Sequence, residues 1–429
     1  MTLASARLRS SLRPAGSGLA LALTLLGGAR SLAAEPKPWT APGELPIPEW
    51  ARSAEVTRPD EPLYQGPSSA EKRRGAVARG ARLPLFGAKR GSGCAGRFLL
   101  VGPLAWLCED GATLSQAAPD GDATQPHTRD GLPYRYHFVG PDGSFGYRAV
   151  QTAEEGVPDA QLLKGFGVAV MRVENNPEGT PFGLTTEGLW VPMRDLSPVA
   201  PFAFHGRELE GALNVAWVVT ANAVGAPLPD KPKNPKLKLS RFQELTVLEE
   251  RRVSGHRWFR YDSDAWLSDR DARAPTTADL PAGLRPGERW LDVELASQVL
   301  TAYVGERAVF ATLVSTGRGA AGTETATPTG VQRIWVKLRT SNMDNLDDES
   351  AAENYAIQAV PWVMYFERGY GLHGTFWHRD FGNKHSHGCV NLTPLDAERL
   401  FSWTSPRLPP GWTAALPTDY EPGTLIRVR

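Results

Sequence analysis

Apolar residues along this chain recur mostly at every second position. Leu291, Val293 and Leu295 alternate with Asp292 and Glu294, and the apolar runs 299–304 and 308–314 flank Gly305-Glu306. A period of two puts one set of side chains on one face of a pleated strand, so this stretch predicts a strand followed by a hairpin. Thr327-Pro328-Thr329-Gly330 is a turn that launches a further strand over 331–337. Helical spacing is clear at one place only. There Thr393 can cap, Pro394 suits the first position, Asp396 sits in the first turn, and Ala397, Leu400 and Phe401 form an apolar face.

Upstream, a short pattern recurs three times: Ala105-Trp106-Leu107-Cys108-Glu109-Asp110, Leu189-Trp190-Val191-Pro192-Met193-Arg194-Asp195 and Ala265-Trp266-Leu267-Ser268-Asp269-Arg270-Asp271. Gly96-Arg97-Phe98-Leu99-Leu100 and Gly255-His256-Arg257-Trp258-Phe259 each precede it as a strand leading through a turn. The spacing from Trp106 to Trp190 to Trp266 is irregular, which predicts a series of related small modules rather than a solenoid. Trp buries the most area per residue, so each Trp reads as the anchor of a small core. The 43 glycines and 36 prolines run along the whole chain and favour many short strands over long helices. At 429 residues, 41% of them hydrophobic, the chain has material for several compact units. The expected division is a proline-rich tether over 35–70, modules over 71–120, 130–230 and 236–280, and a second, more regular β domain over 287–429. The Pro- and Lys-rich stretch 227–238 reads as a linker.

Residues 1–34 read as an export signal: Arg7, Arg9 and Arg13, then an apolar run over 18–27, then Ser31-Leu32-Ala33 as a small-x-small cleavage site. The run is shorter than the roughly 20 residues that span a bilayer, and no later segment reaches that length. Lys and Arg together number 47, as do Asp and Glu, and no basic stripe is interleaved with aromatics, so nucleic acid is not an expected partner. Export makes the three cysteines informative. Cys94 and Cys108 flank the run Phe98-Leu99-Leu100-Val101 and the turn Gly102-Pro103, which can fold back and pair them as a disulfide. Cys389 is then the odd thiol.

Residues 373–392 hold that thiol and four of the chain's eight histidines. A cysteine attacks as its thiolate, and an adjacent imidazole that accepts the proton lowers the thiol pKa from its ordinary value of about 8.5. Two neighbouring strands ending at one edge would bring His373 beside Cys389, and Gly374 and Gly388 would let backbone approach a substrate. His373-Gly374 followed by Ser386-His387-Gly388-Cys389-Val390-Asn391 resembles the signature of the YkuD family of L,D-transpeptidases. Similarity continues through Ser315-Thr316-Gly317, Thr327-Pro328-Thr329-Gly330 and Met364-Tyr365-Phe366. The Trp-bearing modules resemble bacterial SH3-like domains.

These resemblances imply a mainly β protein: a YkuD-type β-sandwich catalytic domain preceded by small SH3-like β-barrel modules. They imply Cys389 as nucleophile, His373 as its base and the Gly374 carbonyl orienting the imidazole. His387 and the N–H groups of Gly388 and Cys389 would stabilise the oxyanion. Tyr365, Trp377, Ser386 and Asn391 would contact substrate, which would be a peptidoglycan stem peptide, with no cofactor. The SH3-like modules would be the part of the chain to meet glycan or wall peptide. The protein would act in the periplasm or cell wall. His378 and His385 are not required by the pattern and read as solvated loop residues. The competing chemistry is a zinc site drawn from His373, His378, His385, His387 and Cys389, but their spacing matches no familiar ligand set. Asp344, Asp347, Asp348 and Glu349 form an acidic run that reads as a solvated loop, in a position that would suit a lid.

Overall fold

A computed structural model describes residues 45–121, 130–346 and 354–429. The expected export signal, the start of the expected tether, and Asp347, Asp348 and Glu349 lie outside the described residues. The described chain is mainly β, and its only α-helix is Pro394–Trp403.

The alternation read at 289–314 forms the centre of a six-stranded sheet. In spatial order it contains Arg207–Gly211, Arg307–Leu313, Val299–Val304, Arg289–Glu294, Leu425–Val428 and Gly330–Arg333. Leu291, Val293, Leu300, Ala302 and Phe310 point into one core with Ile426 and Val428. The opposite face is covered as well, by Phe204, Val215 and Trp217 packed on Trp290, Val299 and Tyr303. Asp292, which alternation alone would leave in water, is therefore buried, and Arg427 Nε at 2.6 Å and Arg429 Nη2 at 2.8 Å neutralise it.

A larger, 15-stranded sheet runs across the boundaries expected between the modules. Its backbone path runs from Trp190–Pro192 through Pro181–Thr185 and Gly167–Asn175 to the long hairpin Ala356–Glu367 and Val336–Asp344. It continues through Trp412–Ala415 to Arg73–Val77, Glu61–Tyr64, Ala105–Cys108, Phe98–Gly102 and Gly87–Lys89. The described residues fall in one compact unit. The 45–70 stretch is not an extended tether either. Ser53–Val56 and Glu61–Tyr64 are strands, and Ala54, Val56 and Leu63 are buried with Val77 and Leu83. The break expected at 230–236 falls inside another sheet, because Val215–Val218 pairs with both Glu244–Thr246 and Ala272–Arg273. Strand pairing satisfies buried backbone groups wherever the edges meet, whatever the sequence distance.

The repeated Trp pattern has one structural form. Trp106, Trp190 and Trp266 are all buried, each on the second strand of a hairpin. In the first two copies a 3-10 turn follows, at Glu109–Gly111 and Met193–Asp195. The acid after the Trp strand ties the turn to the preceding hairpin. Asp110 accepts from the Ala95 and Gly96 N–H groups at 2.8 and 2.9 Å, and Asp269 accepts from Arg257 N–H at 2.9 Å. Cys94 and Cys108 are bonded to each other beside the first of these turns, and Cys389 is free. Mass mapping of the non-reduced, alkylated protein should return a Cys94–Cys108 linked peptide and alkylation at Cys389. A linked peptide containing Cys389 would contradict this.

The helix is fixed at both ends. Thr393 Oγ1 accepts from Asp396 N–H at 3.3 Å, and the buried Asp396 carboxylate accepts from Gly206 N–H at 2.9 and 3.1 Å and from the Thr312 hydroxyl at 2.5 Å. At the other end the buried Lys337 ammonium donates to the carbonyls of Phe401 and Thr404. That amine sits where the helix leaves carbonyls unpaired and its dipole is negative, and burial lowers its pKa to about 7. Ala397, Leu400 and Phe401 then pack on Leu372, Val390 and Leu392, the apolar faces of the two strands that carry the site.

Candidate active site

Tyr370–Gly374 and Val390–Leu392 are adjacent parallel strands, with Leu372 opposite Val390, His373 opposite Asn391 and Gly374 opposite Leu392. Leu372, Val390 and Leu392 face the core. Alternation then turns His373 and Asn391 to the other face, and Cys389, two residues before Asn391, falls on that face diagonally across from His373. The sequence alone could place these residues at one edge only as an expectation. The parallel pairing and its register bring them together.

His373 is buried, 2% exposed, and its ring stacks on Trp377 with centroids 5.6 Å apart. Nδ1 lies 3.3 Å from both the Gly374 carbonyl, which can only accept, and the Thr375 hydroxyl, which can donate or accept; with Nδ1 donating to the carbonyl, the Nε2 lone pair is left as the acceptor. Burial lowers the imidazole pKa to about 4, partly offset by that carbonyl. Cys389 Sγ lies 3.9 Å from the Gly369 carbonyl. Burial raises the thiol pKa, and the Gly371 N–H offsets only part of that. The resting pair is thus a neutral thiol and a neutral imidazole. Desolvation disfavours both charged forms, which at the thiol is the direction opposite to the one expected, while the Cys389 side chain stays half-exposed.

The turn between the strands is built from its own polar groups. Gly388 has φ +122, and a Cβ there would lie 2.4 Å from the Tyr370 ring, so only glycine fits. Ser386, expected to contact substrate, is buried; its hydroxyl donates to the Cys389 carbonyl at 2.5 Å and accepts from Gly388 N–H at 3.1 Å. That bond also occupies the Gly388 N–H expected to face an oxyanion. Short polar side chains bond neighbouring backbone in this way when a turn leaves groups unpaired. Thr327 holds the same turn, donating to the Gly388 carbonyl at 2.8 Å. His387 is exposed, stacked on Tyr355 at 5.8 Å, and accepts at Nε2 from Arg318 at 2.6 Å. Burial first, then Arg318, lowers its pKa and keeps it neutral.

Asn391 was also expected at the substrate. It is 3% exposed, and its side-chain amide lies 2.8 Å from His378 Nε2. His378 Nδ1 accepts from Asp380 N–H at 3.1 Å, and burial brings its pKa to about 3, so it is a neutral, half-buried ring and not a solvated one. His385 is exposed and packs on it at 4.1 Å. The 375–385 loop that carries these rings is clamped by upstream segments. Tyr136 packs on Phe376 at 4.2 Å, Phe202 on Phe381 at 5.8 Å, Arg241 pairs with Asp380 at 2.9 Å, and Arg273 donates to the Gly382 carbonyl at 3.0 Å.

Tyr365 and Trp377 are both half-buried at the site: Tyr365 stacks on Trp335, Trp377 on His373. The Tyr355 and Tyr365 phenols have raised pKa values, chiefly from burial. Tyr365 stands opposite Gly371, whose place on the neighbouring parallel strand is beside Cys389. Tyr355, Arg318, Trp335 and Tyr370 were missed in the sequence. Only Arg318, next to the noted Ser315-Thr316-Gly317, lay beside a signal that could have found it.

No three of the five side chains weighed as zinc ligands bring their donor atoms within 4.8 Å of one another. Among the described residues only Cys94, Cys108 and Asp110 bring three donor atoms within 4.8 Å of one another, and those two sulfurs are bonded together.

The family model that matches is YkuD, the L,D-transpeptidase catalytic domain, over residues 288–428. No curated protein matches the chain. Among solved structures, the catalytic domain of an Enterococcus faecium L,D-transpeptidase is 23% identical, with 33% of this chain and 98% of that one covered and a TM-score of 0.25. An L,D-transpeptidase from Mycobacterium smegmatis is 17% identical, with 41% and 78% covered and a TM-score of 0.27. The chain spans half the length of a crystallised E. faecium L,D-transpeptidase variant, 21% identical over 33% of this chain, with a TM-score of 0.25. At its C-terminus, over residues 288–428, the chain carries a YkuD L,D-transpeptidase catalytic domain.

Proposed function

We propose that the protein is an exported peptidoglycan L,D-transpeptidase. Cys389 attacks the carbonyl between the diamino acid at the third position of a stem peptide and the D-Ala after it. As sulfur bonds to carbon, the thiol proton passes to His373 Nε2 and then to the departing D-Ala amine, leaving a thioester on Cys389. An amine then takes the acyl group, and the thiol is restored. The acceptor is the side-chain amine of a second stem's third residue, which makes a crosslink. The observation that carries this is the parallel pairing that sets Cys389 and His373 on one face of a sheet inside the segment that matches the YkuD family.

The upstream hairpin and Trp units are proposed to be SH3-like modules that also meet the wall. The Trp anchors themselves are buried and hold those units together.

Incubation with a carbapenem, which resembles the acyl donor, should add one drug mass to the protein, mapped to Cys389 and unaffected by EDTA. Muropeptides from overproducing cells should gain crosslinks between third residues. Loss of activity with EDTA, restored by zinc and without an adduct at Cys389, would overturn the proposal. Water, a free D-amino acid or a lipoprotein lysine as acceptor would each leave a different muropeptide product.

A further inference from the structure

A cleft of about 470 Å³ opens where the N-terminal strands meet the catalytic domain. Gln65 and Lys72, from the connection between Glu61–Tyr64 and Arg73–Val77, line it together with Arg285, Arg333, Trp335 and Asp419. Gln65 Nε2 donates to the Pro417 carbonyl at 3.3 Å and ties the N-terminal region to the C-terminal segment. The cleft therefore exists only because the upstream region joins the same sheet as the catalytic domain.

Trp335 connects this cleft to the nucleophile. It is 46% exposed at the cleft, while one face of its ring stacks on Tyr365 at 6.0 Å and 25°. By strand register Tyr365 stands opposite Gly371, and Gly371 falls beside Cys389 on the next strand, one place before the Leu372–Val390 pair. An exposed indole so placed offers a flat apolar surface to a ligand that also reaches the sulfur.

The charges of the cleft are unevenly committed. Arg333 is neutralised by Glu288, at 2.5 and 3.2 Å, and donates to the Gly423 carbonyl at 2.9 Å. The charged ends of Lys72 and Arg285 make no hydrogen bond or ion pair among the described residues. The lining holds one acid, Asp419. Arg285 lies in the field of Glu288, which Arg333 already neutralises, so the lining keeps a surplus of positive charge. That surplus selects a ligand with carboxylates, and Asp419 disfavours a pure polyanion while accepting a peptide N–H or ammonium. A volume of this size holds a short peptide or one sugar unit with its peptide.

We infer that this cleft is a second substrate subsite that holds the carboxylate-bearing peptide stem of a second wall strand while the first is attached to Cys389. This rests on the transpeptidase reading, which requires an acceptor to reach the thioester from a side the donor leaves open. The cleft supplies that side, with Trp335 and Tyr365 as the wall shared by the two substrates. Lys72 and Arg285 hold the stem's carboxylates, and Trp335 packs on its apolar part.

The test uses the whole exported chain with Cys389 first capped by a carbapenem, followed by calorimetric titration with a purified disaccharide-tripeptide. The capped protein should still bind the probe, more weakly as salt is raised. The double charge reversal Lys72→Glu with Arg285→Glu should weaken binding by about tenfold or more, and Trp335→Ala should weaken it as well. Capping that abolishes binding, no binding at all, or a charge reversal that leaves affinity within about twofold would overturn the subsite. Failure of the capping step itself reports on the transpeptidase reading and not on the cleft, so the two failures are told apart.

Discussion

Cys389→Ala should lose thioester formation and crosslinking by ~10⁴-fold or more, and should unfold within about 1 kcal/mol of the parent. The two halves of this result have separate causes. No second nucleophile can replace the sulfur, because the neighbouring hydroxyls are engaged in holding backbone: Ser386 on the Cys389 carbonyl and Thr327 on the Gly388 carbonyl. Packing, by contrast, rests on Val390 and Leu392, both 0% exposed, whereas Cys389 contributes one long contact to the Gly369 carbonyl at 3.9 Å. The measurement is single-turnover acylation by mass, with a thermal melt on the same preparation. Acylation that persists in a folded variant would remove the covalent mechanism.

What could be read from the sequence was local. The alternation at 289–314 gave three strands because consecutive strands pair with one another there. The helix at 394 was legible from its cap and first-turn proline, and the three Trp anchors from their repeated context. Pairings across long separations left no such trace. Trp412–Ala415 sits between Val336–Asp344 and Arg73–Val77, and nothing in any of these three segments announces the other two. The 45–70 stretch misled for a related reason: its prolines suggested a tether, while the inward residues Ala54, Val56 and Leu63 are few and scattered, with Leu45 and Ile47 packed against them. At the site, residue identity revealed the reacting pair, but not which polar groups the turn would use for itself. Ser386 and Asn391 match the motif, yet both are buried and bonded to their surroundings, to backbone and to His378 respectively. A sequence motif records which residues a geometry needs without separating those that touch substrate from those that hold the turn.

His373→Gln should lower the acylation rate by roughly 10²–10⁴-fold while leaving the alkylation profile of Cys389 almost unchanged. Gln can still donate to the Gly374 carbonyl, which His373 Nδ1 meets at 3.3 Å, but it offers no basic nitrogen to the thiol. The alkylation profile is set by a different cause. Burial raises the Cys389 pKa, so iodoacetamide should react with it more slowly than with a free thiol near neutral pH and accelerate only as pH rises beyond the ordinary thiol range. Because the His373 pKa is about 4, the imidazole is already neutral and able to accept a proton above that value. Acylation should therefore hold its rate down to about pH 5 and fall as pH drops through about 4, where His373 takes up a proton and loses its lone pair. An ion-pair site would behave in the opposite way: fast alkylation at mildly acidic pH, slowed once His373 is removed. The two profiles separate the mechanisms without any measurement on the wall, since neutral-pair chemistry demands that deleting the base costs acylation and spares alkylation.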